Sequence, residues 1–237
     1  MGNALAGAKQ KLIVLEQDPL TWRLEHVIQM WAVYKKEEEW DFGVEQNQLK
    51  HVIESVLPDP GGHDIVQEQL WRRYYDHGDA ARNGGVQEVN ILEVFCGLAI
   101  ICLGAFEEKT RFCFDLFDFD GVGSLSYDDL VAMLYMCISG TVCIIGRGTN
   151  PTDAKMNDEV DHIYDTLGIE THERVPRDAL LAYYEIRIIE LAERRGVDLC
   201  DTAMVFLLWY DSCTIDMLED TTSGNAIILN SEDMGFD

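Results

Sequence analysis

The chain has 237 residues, of which 47% are apolar, enough to fill one large core or the cores of two small lobes. Its 43 acidic and 18 basic side chains give a net charge of -25, which opposes binding to nucleic acid or to an anionic membrane, since both need a cationic face. This charge favours cations and basic partners.

The chain begins with Met-Gly-Asn, so Gly2 becomes an acceptor for N-myristoylation if Met1 is removed. The sixth residue is Ala6, where that signal usually has Ser or Thr. The first residues lack the charged and apolar regions of a secretory signal. We therefore expect a cytoplasmic protein that contacts a membrane only if Gly2 is acylated.

Helical spacing of apolar residues dominates the sequence, and no run alternates as a strand does, which predicts an all-α fold. The predicted helices pair in chain order into four helix-loop-helix units, and a ninth helix precedes an acidic tail. The nine predicted helices are 20–34, 49–57, 65–75, 91–103, 106–117, 128–138, 160–167, 179–191 and 202–213.

Each interhelix loop carries one residue suited to a short β-pair just before its second helix, namely Val44, Val89, Leu125 and Val175. Their recurrence predicts a divergent tandem repeat. We expect two lobes, 1–105 and 106–195, followed by a C-terminal helix and tail over 196–237. The longest predicted linker is 139–159, where Gly, Thr, Asn and Pro indicate a loop.

The densest apolar run, 94–106, is too short to span a bilayer and is predicted to be a buried helix. The seven cysteines contain no C-x-x-C pair. They are therefore predicted to be reduced core residues of an intracellular protein. They stand at positions 96, 102, 113, 137, 143, 200 and 213.

A twelve-residue stretch, 118–129, has the spacing of a calcium loop, with oxygen donors at positions 1, 3, 7, 9 and 12 and glycine at position 6. It predicts one weak site for Ca²⁺ or Mg²⁺. The predicted ligands are Asp118, Asp120, Ser124 through its carbonyl, Ser126 and Asp129.

Two positions of this loop depart from the pattern. Val122 offers no oxygen at position 5, and Asp129 replaces the closing glutamate with a shorter side chain. A short twelfth carboxylate suits six-coordinate magnesium better than seven-coordinate calcium. The loop is therefore either a weak metal site or an empty loop kept for its shape.

The other three loops depart further. The frame 168–179 begins with Gly168 and ends with Ala179, so it is predicted to bind no metal, and 37–48 is predicted to be structural. In the second unit Glu93 stands at the closing position without a matching first ligand. A rearranged site using Asp76, Asp79 and Glu93 is the alternative there.

Residues 89–133 resemble the EF-hand superfamily, particularly its calcineurin B, neuronal calcium sensor and calaxin families. The resemblance is carried by VNILEVFCGL, by EEKTRFCFDLFD and by the loop 118–129. It implies a non-enzymatic adaptor of two lobes that binds a helical segment of another protein. The calaxin family implies ciliary dynein docking in the axoneme, and the calcineurin B family implies a phosphatase partner.

An EF-hand pair can bind an amphipathic helix in an apolar groove, and the acidic surface here favours a basic one. Six residues have the spacing for such a groove, although each also fits the protein's own core. They are Phe95, Leu98, Ile101, Leu130, Met133 and Leu134. The apolar segment 204–210 either fills this groove from within the chain or docks on an outside partner.

The sequence contains no zinc-protease, P-loop or nucleophile-elbow motif, and its six histidines have no metal-ligand spacing. We therefore expect no enzyme. Three hypotheses remain. The first is a structural adaptor of a large ciliary or flagellar assembly with little calcium dependence. The others are a calcium or magnesium sensor and a membrane-recruited regulatory subunit acylated at Gly2.

Overall fold

The computed structural model describes residues 22–37, 41–57, 70–75, 88–145 and 150–195. These residues form helices joined by loops and by four two-residue strands, which confirms the all-α prediction. The first half contains α1 (Leu24–Tyr34), β1 (Gly43–Val44), α2 (Gln46–Val56), a helical stretch at 70–75, β2 (Val89–Asn90) and α3 (Ile91–Ile101). The second half contains α4 (Phe106–Phe117), β3 (Ser124–Leu125), α5 (Tyr127–Ile145), α6 (Asp153–Leu167), β4 (Val175–Pro176) and α7 (Arg177–Arg195).

The short strands join the helix-loop-helix units in pairs. Strands β1 and β2 are antiparallel with Val44 opposite Val89, and β3 and β4 are antiparallel with Leu125 opposite Val175. All four side chains are buried beneath their loops. The β-pairs predicted from these four residues are confirmed.

Helix α3 is the centre of the molecule. All eleven of its residues are buried, so it is apolar on every side rather than amphipathic. The buried helix predicted over 94–106 is therefore confirmed as far as Ile101, but it is wrong beyond that residue, since the helix ends there and Leu103 is 54% exposed. On one side Phe95 packs edge-on against Trp31 of α1, with ring centroids 5.2 Å apart.

On another side α3 crosses α5 where two glycines meet. A Cβ atom added to Gly140 would lie 2.1 Å from the carbonyl oxygen of Glu93, and one added to Gly97 would lie 2.5 Å from the backbone of Gly140. Any larger residue would push the helices apart. This contact joins the two halves of the chain, while the predicted lobes 1–105 and 106–195 stay a prediction.

The predicted linker 139–159 is wrong at both ends. Helix α5 continues to Ile145 and α6 begins at Asp153. Ser139 and Thr141 are buried in α5, and the Thr141 hydroxyl donates to the carbonyl of Cys137 at 2.8 Å. Packing against α3 thus overrides a composition that is typical of a loop.

By length and mean hydropathy alone, the stretch Tyr127–Ile144 of α5 would also fit a membrane span. However, 61% of it is buried inside the fold. The core helix of a globular domain has the same composition.

Candidate metal loop

The loop 118–129 begins where α4 ends. Asp118 follows the last helical residue, and the chain then turns through Gly121 and Gly123, whose φ angles are 68° and 76°. Only glycine adopts such left-handed angles readily. The predicted frame is therefore folded as a tight loop between α4 and β3.

The two carboxylate oxygens of Asp118 have different surroundings. Oδ2 accepts a hydrogen bond from the Gly123 amide at 2.9 Å, which ties the first loop position to the sixth. Oδ1 is buried and has no hydrogen-bond partner among the described residues. A buried carboxylate oxygen without a donor is what a metal ligand looks like when no ion is present.

Position 12 of the loop, which closes the calcium pattern, already makes hydrogen bonds within the loop. Asp129 Oδ2 accepts hydrogen bonds from the Ser126 amide at 3.0 Å and from the Ser126 hydroxyl at 2.7 Å. The Asp129 amide in turn donates to Ser126 Oγ at 3.3 Å. The two residues form a reciprocal cap on α5, so two predicted ligands serve the helix start.

The side chain at position 5 of the loop offers no ligand atom to a cation. The Val122 side chain is 61% exposed and carries no oxygen, while its amide donates to Asp120 Oδ1 at 3.4 Å. The donor set that remains is Asp118, Asp120, the Ser124 carbonyl and part of Asp129. This set of hard oxygens fits Mg²⁺ or Ca²⁺ in chemical type but is short in number.

Arg174, which sequence reasoning missed, enters this loop from the neighbouring unit. Its Nη2 lies 3.2 Å from Asp120 Oδ2 and 3.9 Å from Asp129 Oδ2. Its Nε lies 3.1 Å from the Ser124 carbonyl oxygen, and Nη2 donates to the same oxygen. One guanidinium thus contacts three of the predicted ligand residues.

Hydrogen bonds also cross the described parts of the first and fourth loops. In the first, the Glu45 amide donates to Gln48 Oε1 at 2.7 Å, the same closing contact that Asp129 makes in the third. In the fourth, the Tyr164 hydroxyl donates to the Glu173 carbonyl at 2.9 Å. The suggested ligands Asp76 and Asp79 lie outside the described residues.

No protein-family model matches the chain. Calaxin of Homo sapiens is 26% identical over 92 residues, which is 39% of this chain and 39% of that protein. The calcium-binding protein NCSA of Dictyostelium discoideum is 23% identical over 156 residues, 65% of this chain and 78% of that protein. The chain is related to EF-hand calcium sensors.

Two of the matches cover less than half of the relative's length. The match spans about two fifths of the length of calaxin, at low identity. Ubiquitin carboxyl-terminal hydrolase 32 of Drosophila melanogaster is 39% identical over 56 residues, but these are 3% of that protein. The match to this hydrolase gives no argument for hydrolase chemistry in the present chain.

The six predicted groove residues are all buried in this structure, at 5% exposure or less. They therefore form no open groove here, because α3 and α5 pack against each other. Phe95, Leu98 and Ile101 lie on α3, and Leu130, Met133 and Leu134 lie on α5. Their role in partner binding stays a prediction that requires a side chain to enter or the helices to separate.

A small cavity lies between α3, α4, α5 and α7, beside two of these residues. It is lined by Ile100, Phe106, Lys109, Thr110, Cys113, Met133, Leu134, Cys137 and Tyr184. Lys109 is almost completely buried, and its Nζ donates to the Ile100 carbonyl at 2.8 Å. The lining is otherwise largely apolar, so the space suits an apolar side chain.

Five cysteines lie in the described residues, and all five are free and buried, as predicted. Cys96, Cys113 and Cys137 come from three different helices, and their sulfur atoms lie within 4.8 Å of one another. Burial raises the pKa of the Cys96 thiol well above its usual value. Three converging thiols have the donor chemistry for a soft metal ion, and their spacing in sequence gave no sign of it.

Two other predicted features, Gly2 with its lipidation and the C-terminal helix over 202–213, lie outside the described residues.

Proposed function

We propose that this protein is a non-enzymatic EF-hand adaptor that holds a helical segment of a larger assembly with little dependence on calcium. The observation that carries this is the contrast between its scaffold and its loops. Both β-pairs and the buried helices of an EF-hand are present, while the third loop lacks an oxygen at position 5. Packing, rather than an ion, holds such a scaffold together.

The partner is a basic amphipathic helix, because the chain carries a net charge of -25 and basic segments approach such a surface fastest. We place the assembly in the cilium or flagellum on the resemblance to the calaxin family. The entry point is the cavity beside Met133 and Leu134, which has an apolar lining and a half-buried residue, Thr110, at its wall. A single apolar anchor of the partner would enter there.

Capture with the full chain tests this proposal. Proteins retained from a ciliated-cell extract are identified by mass spectrometry with and without a calcium chelator, and the same basic-helix protein is expected in both. Thr110→Tyr fills the cavity and should abolish its capture, whereas Thr171→Tyr, at an exposed turn, should not. Loss of the partner in chelator with recovery in calcium would contradict the adaptor role.

The second candidate is a calcium or magnesium sensor, favoured by the buried, unpartnered Oδ1 of Asp118. Such a protein would bind calcium in the loop 118–129 and open the groove in response. Titration calorimetry in millimolar magnesium separates the two. A calcium dissociation constant tighter than about 10 μM supports the sensor, and Asp118→Ala should then abolish the signal.

A further inference from the structure

The third loop is not simply short of ligands, because a positive charge already lies among those it has. Arg174 belongs to the fourth loop, yet its guanidinium contacts the side chains of Asp120 and Asp129 and the carbonyl of Ser124. These are positions 3, 12 and 7 of the calcium pattern. We propose that Arg174 is the resident cation of the third loop and that a metal ion has to displace it.

The β-pair explains how this side chain reaches its position. Val175 lies opposite Leu125, so the preceding residue, Arg174, is held beside the loop where Ser124 and Ser126 flank Leu125. The Arg177 amide donates to the Gly123 carbonyl at 3.1 Å and adds a second tie between the loops. The backbone therefore fixes the arginine at the mouth of the third loop.

A guanidinium is suited to this position. Its five N–H groups are arranged in a planar fork that bonds carboxylates and carbonyl oxygens together, and it stays charged at any physiological pH. One positive charge also offsets part of the repulsion between Asp120 and Asp129. Arg174 thus supplies the electrostatic part of what an ion supplies, without needing seven oxygens.

Arg174 takes the place of an ion at every predicted ligand it contacts, but it does not reach Asp118. Arg174 makes no contact with Asp118, whose Oδ1 stays buried without a hydrogen-bond partner among the described residues. The arginine side chain is 38% exposed, so it can swing outward into solvent. The arginine therefore competes with an ion, which makes metal binding in the wild-type chain weak.

Calorimetric titration of the full chain with calcium tests this. Arg174→Gln should bind calcium about tenfold tighter than wild type or more, because a unit charge about 4 Å from a divalent ion repels it even at the dielectric constant of water. Arg111→Gln is the matched control, since Arg111 is an exposed arginine paired with Glu107 on α4. The control should bind as weakly as wild type.

Two further measurements identify the site. Adding Asp118→Asn to Arg174→Gln should abolish the gained affinity, and calcium should raise the unfolding temperature of Arg174→Gln more than that of wild type. Equal calcium affinity in wild type and Arg174→Gln overturns the role of Arg174. So does gained binding that survives Asp118→Asn.

The role of Arg174 deepens the proposed calcium independence and rests on it, yet the titration uses no partner protein. Failure of the titration with chelator-resistant capture would remove Arg174 and keep the adaptor. If Arg174→Gln gains calcium affinity but the chelator abolishes capture of the partner, the role of Arg174 stands and the calcium-independent adaptor does not.

Discussion

Asp118, Val122, Asp129 and Arg174 decide, as single side chains, what the third loop can hold. The first three could be assessed from the sequence because the calcium pattern fixes each position by counting. Arg174 could not, because it lies 54 positions from Asp120 and reaches the loop only through the β3–β4 pair. Counting positions along one loop does not reveal a contact made by the loop that pairs with it.

A buried thiol gives a pH prediction at the same scale. Burial raises the pKa of Cys102 from 9.0 to about 11, opposed by the nearby charge of Lys109. Because the folded-state pKa lies above the unfolded one, the stabilising contribution of this thiol is complete below pH 9 and is lost as the pH rises towards 11. A shift of this size corresponds to about 2.7 kcal/mol.

Urea unfolding of wild type and Cys102→Ala at pH 8 and pH 10.5 measures this loss. The free energy of unfolding should fall more for wild type than for Cys102→Ala between the two values. An equal fall in both proteins would show that Cys102 ionises as freely in the folded state as in the unfolded one.

At the scale of elements, the helices and β-pairs were largely predictable because their signals are local. The β-pair residues Val44, Val89, Leu125 and Val175 follow from their place before each second helix. The length of α5 was not predictable. Gly140 lies in a stretch whose composition is typical of a loop, yet the close crossing of α5 and α3 requires a glycine there. The burial of the predicted groove has the same cause, the contact between these helices.

Gly140→Ala tests this crossing. The new Cβ would meet the Glu93 carbonyl at 2.1 Å, and backbone cannot move aside as a side chain can. We expect a loss of about 2 kcal/mol or more in the free energy of unfolding, despite the better helix propensity of alanine. Gly121→Ala, with nothing within 4 Å but a φ of 68°, should cost about 1 kcal/mol. A Gly140→Ala chain as stable as wild type would contradict the close crossing.

For the whole molecule, we expect stability to be independent of metal binding. Among the described residues the core is continuous from α1 through α3 and α5 to α7, and it includes the buried side chains of both β-pairs. In the first and third loops, the amides of Glu45 and Ser126 donate the same closing hydrogen bond, to the side chains of Gln48 and Asp129, at the start of the second helix. We therefore expect the chain to fold without calcium.

The unfolding temperature of the wild-type chain, in chelator and in 1 mM calcium, tests this claim most directly. We expect the two midpoints to agree within about 2 °C, because Arg174 already provides a positive charge in the third loop. A site with a dissociation constant of 10 μM would add about 2.7 kcal/mol and raise the midpoint by about 5–10 °C. A rise of that size would contradict the account.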